Sequence, residues 1–219
     1  MFEPVVWNML ISGIGETLYM TLFSTALSYL FGMPLGIALV VTEKDGIYPA
    51  AVFHNILGAV VNLARSIPFL ILLIAVIPFT RFIVGTTIGA TATVVPLVIA
   101  ASPFIARLVE SSLKEVDSGV IEAAHSMGAS PLKIIYKVML PEALPSLIVG
   151  AAIAVTTILS YSAMAGIVAG GGLGDIAIRY GYYRYQKDIM FVTVALLVIL
   201  VQVLQEIGMK LAKIGDKRI

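Results

Sequence analysis

The chain has 219 residues, of which 59% are hydrophobic and only 12% charged, and its mean hydropathy of +1.02 lies far above that of a soluble domain. Lipid is therefore its main solvent, and the absence of cysteine excludes disulfides and thiolate metal sites. A net charge of +1 is uninformative about partners, and no nucleic acid is expected among them.

A bilayer core about 30 Å thick needs roughly 20 helical residues. Uncharged runs extend over 17–42, 46–64, 66–80, 82–106, 143–174 and 189–205, and the second and third join across Arg65. The reading is an all-α integral membrane protein of one domain, residues 1–219, with five spans at about 15–41, 55–78, 84–107, 144–168 and 189–211. The opening residues Met1 to Trp7 contain Glu3 and no basic region, so no cleavable signal peptide is expected and the first span is kept as structure. Acidic residues are scarce in the spans; Glu16 and Glu206 fall near the ends of the first and last.

In the second span, Arg65 costs at least about 2.5 kcal/mol within hydrocarbon, so it faces protein or water, or snorkels to the interface. Pro68 lacks a backbone donor and bends the helix, freeing carbonyls for Arg65 or Ser66. These three residues are candidates for a polar point on a translocation path or between subunits. Pro96 and Pro103 suggest that the third span is bent as well.

Residues 110–142 read as two short helices with a bend between them. Asp117 or Ser118 caps the first, whose first turn carries Glu122. Gly128 is free to adopt the left-handed conformation that stops a helix. Ser130 and Pro131 suit the N-cap and first position of the second helix, which Leu140 and Pro141 end. Ala123 and Ala124 leave a shallow surface on which another protein's groove can close.

The fourth span enters the membrane after Pro145 and, rising about 1.5 Å per residue, reaches the outer half of the core at Tyr161, Ser162 and Met164. Gly166 and the run Gly170-Gly-Gly-Leu-Gly174 loosen it just beyond. That run lacks the Lys-Ser or Lys-Thr of a phosphate loop and reads as a tight turn. In a two-fold dimer a residue near the axis meets its own copy, so paired Met164 side chains can close the outer end of a path, with Tyr161 and Ser162 offering polar contacts. His54 and His125, the two histidines, have no second ligand at metal spacing and read as structural or solvated.

Five spans put the termini on opposite sides. With the N-terminus outside, nine basic residues (Lys44, Arg107, Lys114, Lys133, Lys137, Lys210, Lys213, Lys217, Arg218) face the cytosol and four (Arg81, Arg179, Arg184, Lys187) lie outside. The positive-inside rule favours that orientation, with the 110–142 hairpin in the cytosol.

The residues Glu122-Ala-Ala, Gly128, Val138, Leu140 and Pro141 resemble the cytoplasmic loop of membrane subunits of binding-protein-dependent ABC importers, with Val138 where isoleucine is usual. Arg65-Ser-Ile-Pro-Phe69, Ile77-Pro-Phe-Thr-Arg81, Pro103-Phe-Ile-Ala-Arg107, Pro141-Glu-Ala-Leu-Pro145, Tyr161-Ser-Ala-Met164 and the glycine run extend the resemblance over nearly the whole chain, toward the permeases of methionine importers. The resemblance implies a homodimer in a bacterial inner membrane, joined by two ATPase subunits and an extracytoplasmic methionine-binding lipoprotein. It implies no cofactor in this chain, with ATP and magnesium on the partner ATPase. The coupling surface is implied at Glu122, Ala123, Ala124, Gly128, Ala129, Leu140 and Pro141. Two other classes explain less. A self-contained secondary transporter often carries coupling acids and inverted repeats, and a membrane enzyme needs a nucleophile and base pair; none is evident.

Overall fold

The computed structural model describes residues 4–215; Glu3, Lys217 and Arg218, used above, lie outside the described residues. Among these residues every regular element is helical. Four helices are long and apolar enough to cross a membrane, or five spans if the bent pair in the second region counts as one.

Helix α1 spans Pro4–Val41, 38 residues. At about 1.5 Å per residue it is nearly twice as long as the hydrocarbon core is thick. It starts well before the expected position 15, because nothing in residues 4–14 breaks a helix and Glu16, inside it, is bonded to another part of the chain. Ser24, Ser28, Gly32 and Gly36 recur every fourth residue on its buried face. This small-residue stripe lets α1 lie directly on α5, Ala90–Leu113. A Cβ added at Gly36 would stand 2.5 Å from the Ala106 carbonyl oxygen, and one at Gly32 would stand 2.7 Å from that of Ser102.

The second region is broken more sharply than a single bent span. Helix α2, Ala51–Arg65, and helix α3, Phe69–Ala75, meet at 96°, and α4, Ile77–Val84, follows after Val76. Pro68 has no N–H to continue the ladder and becomes the N-cap of α3, while the Ser66 hydroxyl donates to the Asn62 carbonyl at 2.8 Å. The expected continuous segment 55–78 is thus replaced by three short helices.

Helix α5 is displaced from the expected 84–107 to 90–113. Gly89, at φ +92, starts it late, and Arg107 and Glu110 neutralise each other and so allow the helix to run past the end of the uncharged stretch. Pro96 and Pro103 both lie inside this continuous helix. The fourth span is helix α9, Leu144–Met164, extended by a tighter turn to Val168. Helix α10, Gly172–Ile176, then opens into a wide turn ending at Tyr182, and α11, Lys187–Gly215, closes the described chain. The main core cluster joins α1, α5 and α9 through Met20, Leu97, Ile105, Val109 and Ile158, and continues into the hairpin through Ile134 and Met139.

Candidate functional site

The hairpin between α5 and α9 is specified locally. Helix α6, Ser118–Ser126, is capped by Asp117, whose carboxylate accepts from the Gly119 amide at 2.8 Å. It stops by a paired-bond motif: Gly128, at φ +78, donates to the His125 carbonyl at 2.9 Å and Ala129 to that of Ala124 at 3.2 Å. A side chain at Gly128 would meet no atom within 4 Å, so the glycine is required by its backbone angle alone. Helix α7, Pro131–Ile134, starts with Ser130 in extended conformation and Pro131 in the first turn.

Two expectations need correction here. Leu140 and Pro141 do not end the second helix. A wide turn over Ile135–Met139 takes the chain into α8, Leu140–Glu142, with Pro141 in a first-turn position where its missing N–H matters little, and the break falls at Ala143. Ala124 is not surface. It is 5% exposed and belongs to the core cluster with Ile134, Ile135 and Met139 of the other arm. Exposed instead are Glu122 and Ala123 with Met127, Leu132 and Tyr136, three large apolar residues not singled out above, and the basic His125, Lys133 and Lys137. Ala129 and Leu140 are half-buried, and Pro141 is exposed.

The expected outer-path residues separate into two groups. Tyr161 stacks on Phe69, with ring centroids 4.6 Å apart and planes within 4°, which brings the α2–α3 break at Pro68 beside α9. Arg65 and Ser66 are exposed at the end of α2. Ser162 is buried and its hydroxyl donates to the Leu159 carbonyl at 2.7 Å, so it faces the protein interior and not a passing solute. Met164 is 44% exposed and borders an apolar trough between α9 and α11 formed with Leu159, Ile167, Leu197 and Val201.

Just past Met164 the glycine run forms a gripped turn. Gly171 and Gly172 have φ of +83 and +73, and Ala169 a φ of 56. The Gly172 amide donates to Glu16 Oε2 at 2.6 Å and the Leu173 amide to Thr17 Oγ1 at 2.9 Å, while Thr93 Oγ1 donates to the Gly170 carbonyl at 3.0 Å. Glu16 and Thr17 thereby satisfy amides at the start of α10 that have no partner within the helix, and three spans are tied at one point.

Against this geometry stand the relatives. The family model for the binding-protein-dependent transport system inner membrane component matches residues 32–213. The chain belongs to that family. This inner-membrane component is 53% identical over 211 residues, 96% of the chain and 94% of the relative, to the probable D-methionine transport system permease protein MetI of Vibrio cholerae. It is 49% identical over 166 residues, 76% of each chain, to the D-methionine transport system permease protein MetI of Escherichia coli K12. Its fold matches a chain of the MetNI methionine ABC transporter, in inward-facing conformations, with a TM-score of 0.97 and 46% identity over 99% of this chain and 100% of that one. An amino acid ABC transporter solved with histidines shares the fold at a TM-score of 0.72 and 21% identity, covering 97% of this chain and 95% of that one.

Sequence reasoning missed two polar constructions in this inner-membrane component. The Glu16 grip joins residues 156 positions apart, and no local signal announces it. The other is a set of ion pairs around Glu110 where α5 meets the hairpin; the spacing Arg107, Glu110, Lys114 was available as an i, i+3, i+7 signal. Among the described residues no group of three or more His, Asp or Glu side chains is placed to hold a metal ion.

Proposed function

We propose that this chain is the membrane-spanning permease subunit of an ATP-driven importer for methionine, acting as a homodimer with two ATPase subunits and an extracytoplasmic binding lipoprotein. The observation that carries the reading is the self-contained helical hairpin set between two apolar spans, in a chain whose whole fold matches that of a methionine ABC transporter subunit. ATP and magnesium belong to the partner ATPase, and this chain performs no hydrolysis itself. The hairpin's exposed residues, Glu122, Ala123, Met127, Leu132 and Tyr136 together with His125, Lys133 and Lys137, offer the ATPase a mixed apolar and charged surface. ATP-driven closure of the ATPases draws the two hairpins together and switches the spans from inward to outward access as rigid bodies. The decisive experiment is uptake of labelled methionine into proteoliposomes holding the whole complex. Uptake that proceeds without ATP or without the ATPase subunits rejects the reading.

Orientation follows from the basic-residue asymmetry, with the N-terminus outside and the C-terminus in the cytosol. Ser130 makes no capping hydrogen bond with its side chain and Thr86 is exposed on the loop after α4, so both tolerate cysteine. Ser130→Cys should react with an impermeant thiol reagent only from the cytosolic side and Thr86→Cys only from outside; the reverse pattern inverts the topology.

Gly128→Val tests the hairpin as the coupling element. A β-branched residue at φ +78 is strained by about 1–2 kcal/mol, and the surrounding space offers no relief by contact. ATP-driven uptake should fall roughly tenfold while the variant still inserts. Glu122→Ala should act more mildly, because Glu122 is the fifth residue of α6, past the first turn where it was expected, and is an exposed carboxylate with no helix-end role. Full uptake by both variants removes the hairpin from coupling.

A further inference from the structure

Charges of alternating sign, Arg107, Glu110, Lys114 and Glu43, run along the end of α5 to the segment just beyond α1, where α5 meets the hairpin. Arg107, Glu110 and Lys114 share one face of the end of α5. The Glu110 carboxylate, only 9% exposed, binds one cation on each oxygen: Oε2 accepts from Arg107 Nη1 at 2.5 Å and Oε1 from Lys114 Nζ at 3.1 Å. Arg107 Nη2 continues to α2, donating to Asn62 Oδ1 at 2.8 Å and to the Gly58 carbonyl at 3.1 Å. Lys114 Nζ continues the other way to Glu43, just beyond α1, with its two oxygens at 3.1 and 3.0 Å.

The segment carrying Glu43 is held in place. Thr42 Oγ1 donates to the Ala38 carbonyl at 2.6 Å, Gly46 to that of Glu43 at 3.0 Å, Tyr48 to Val41 at 3.0 Å and Ala50 to Thr42 at 3.0 Å. Glu43 is therefore a fixed anchor. Burial works against the charge on Lys114, but hydrogen bonds to Glu43 and Glu110 outweigh it and hold its pKa above the usual lysine value. The ammonium's contribution is then complete below the ordinary lysine pKa and lost only as pH rises through the raised one.

Beyond Lys114 the chain reaches the hairpin cap, Asp117, within three residues. The hairpin shares the main core cluster through Ala124, Ile134 and Met139, and beside it lies a cavity of about 420 Å³ lined by Glu43 and Ile47 of the segment after α1, by Lys114, and by Ile121 and His125 of α6. Arg107 Nε is buried without an acceptor, so this arrangement leaves the chain of charges incompletely bonded, as suits a device with a second arrangement.

We propose that Lys114 is the positioning residue that carries the hairpin's displacement into the membrane spans, through Glu43 to α1 and through Glu110 and Arg107 to α2. This rests on the permease reading above. A pull on the hairpin is transmitted to the end of α5, to which the ion pair with Glu43 ties the segment just beyond α1 and the hydrogen bonds of Arg107 tie α2. Glu110, only 9% exposed, is the charge that would be left uncompensated if its cations withdrew, while Lys114 and Glu43, each 42% exposed, stay solvated.

The test uses the whole complex of permease, ATPase and binding protein in proteoliposomes, with labelled methionine uptake and ATP hydrolysis measured together. Lys114→Gln and Glu43→Gln should each lower uptake per ATP hydrolysed roughly five- to tenfold, with Lys114→Arg within about twofold of the unaltered protein and the double variant no worse than Lys114→Gln alone. An unchanged ratio in Lys114→Gln, losses that multiply in the double variant, or uptake and hydrolysis falling in equal proportion would each overturn the assignment. Failure of the unaltered complex to show ATP-driven uptake would reject the permease reading itself, so the two failures are distinct.

Discussion

Replacing Gly174 by valine should leave little folded permease. A Cβ at this position would stand 2.2 Å from the Ala163 carbonyl oxygen and 2.6 Å from the Ala163 Cα, so the obstacle is backbone, which no rotamer change relieves. The facing contact is equally tight, since a Cβ at Gly166 would meet the Gly174 carbonyl carbon at 2.3 Å. The start of α10 is also fixed from the other side by Glu16 and Thr17, which prevents it from withdrawing. Overpacking a well-filled interior typically costs about 1–3 kcal/mol, and a backbone clash with no escape lies at or above the top of that range. Thermal unfolding of the detergent-solubilised protein should therefore drop steeply or show no transition. Gly15 is the matched control: a Cβ there meets nothing within 4 Å, and it sits inside α1, so Gly15→Ala should be neutral or stabilising by up to about 1 kcal/mol. A Gly174→Val protein that melts with the unaltered one would show that α10 is not held against α9 in this way.

The hairpin was legible because its punctuation is local. Asp117 as cap, Gly128 as stop and Ser130-Pro131 as restart each act within a few residues, and each is where the spacing put it. What escaped is set by partners distant in sequence. Whether Ala124 faces inward depends on the second arm supplying Ile134 and Met139, and the breadth of the turn at Ile135–Met139 depends on how that arm meets α9. Helix ends depart from the uncharged runs where a charge has a partner: Arg107, at the expected end of the third span, lies well inside α5, and Glu16, near the expected start of the first, lies inside α1. The stripe Ser24, Ser28, Gly32, Gly36 was readable as a four-residue period, although its target, α5, was not. An uncharged run measures the cost of exposing charge to lipid, and a paired charge escapes that cost.

A Met164→Cys variant should cross-link to its own symmetry mate in nucleotide-free complex and lose the cross-link when ATP is trapped. Met164 closes α9, immediately before the tighter turn and the gripped glycine run, which in the orientation proposed above is the outer end of the fourth span. Its side chain is 44% exposed on the isolated protomer, with Ile167, one turn on, 52% exposed, whereas Ser162 and Ala165 are buried. This face of α9 is therefore largely apolar and only partly covered, by α11, within the protomer. In a two-fold pair the covering group at the axis is its own copy. An unbranched thioether can seal an irregular contact and then withdraw without leaving a polar group unpaired, which suits a plug better than a β-branched residue. Tyr161, one turn back, is immobilised by its stack on Phe69, so the support beneath Met164 also links to α3 beside the break at Pro68, where a change in span geometry is easily accommodated. In the cycle proposed above, ATP binding moves the hairpins, the spans follow, and the two Met164 side chains separate. Cross-linking that persists with ATP trapped would place Met164 at a fixed contact between the two copies, and no cross-link in either state, with the complex intact, would remove it from the axis.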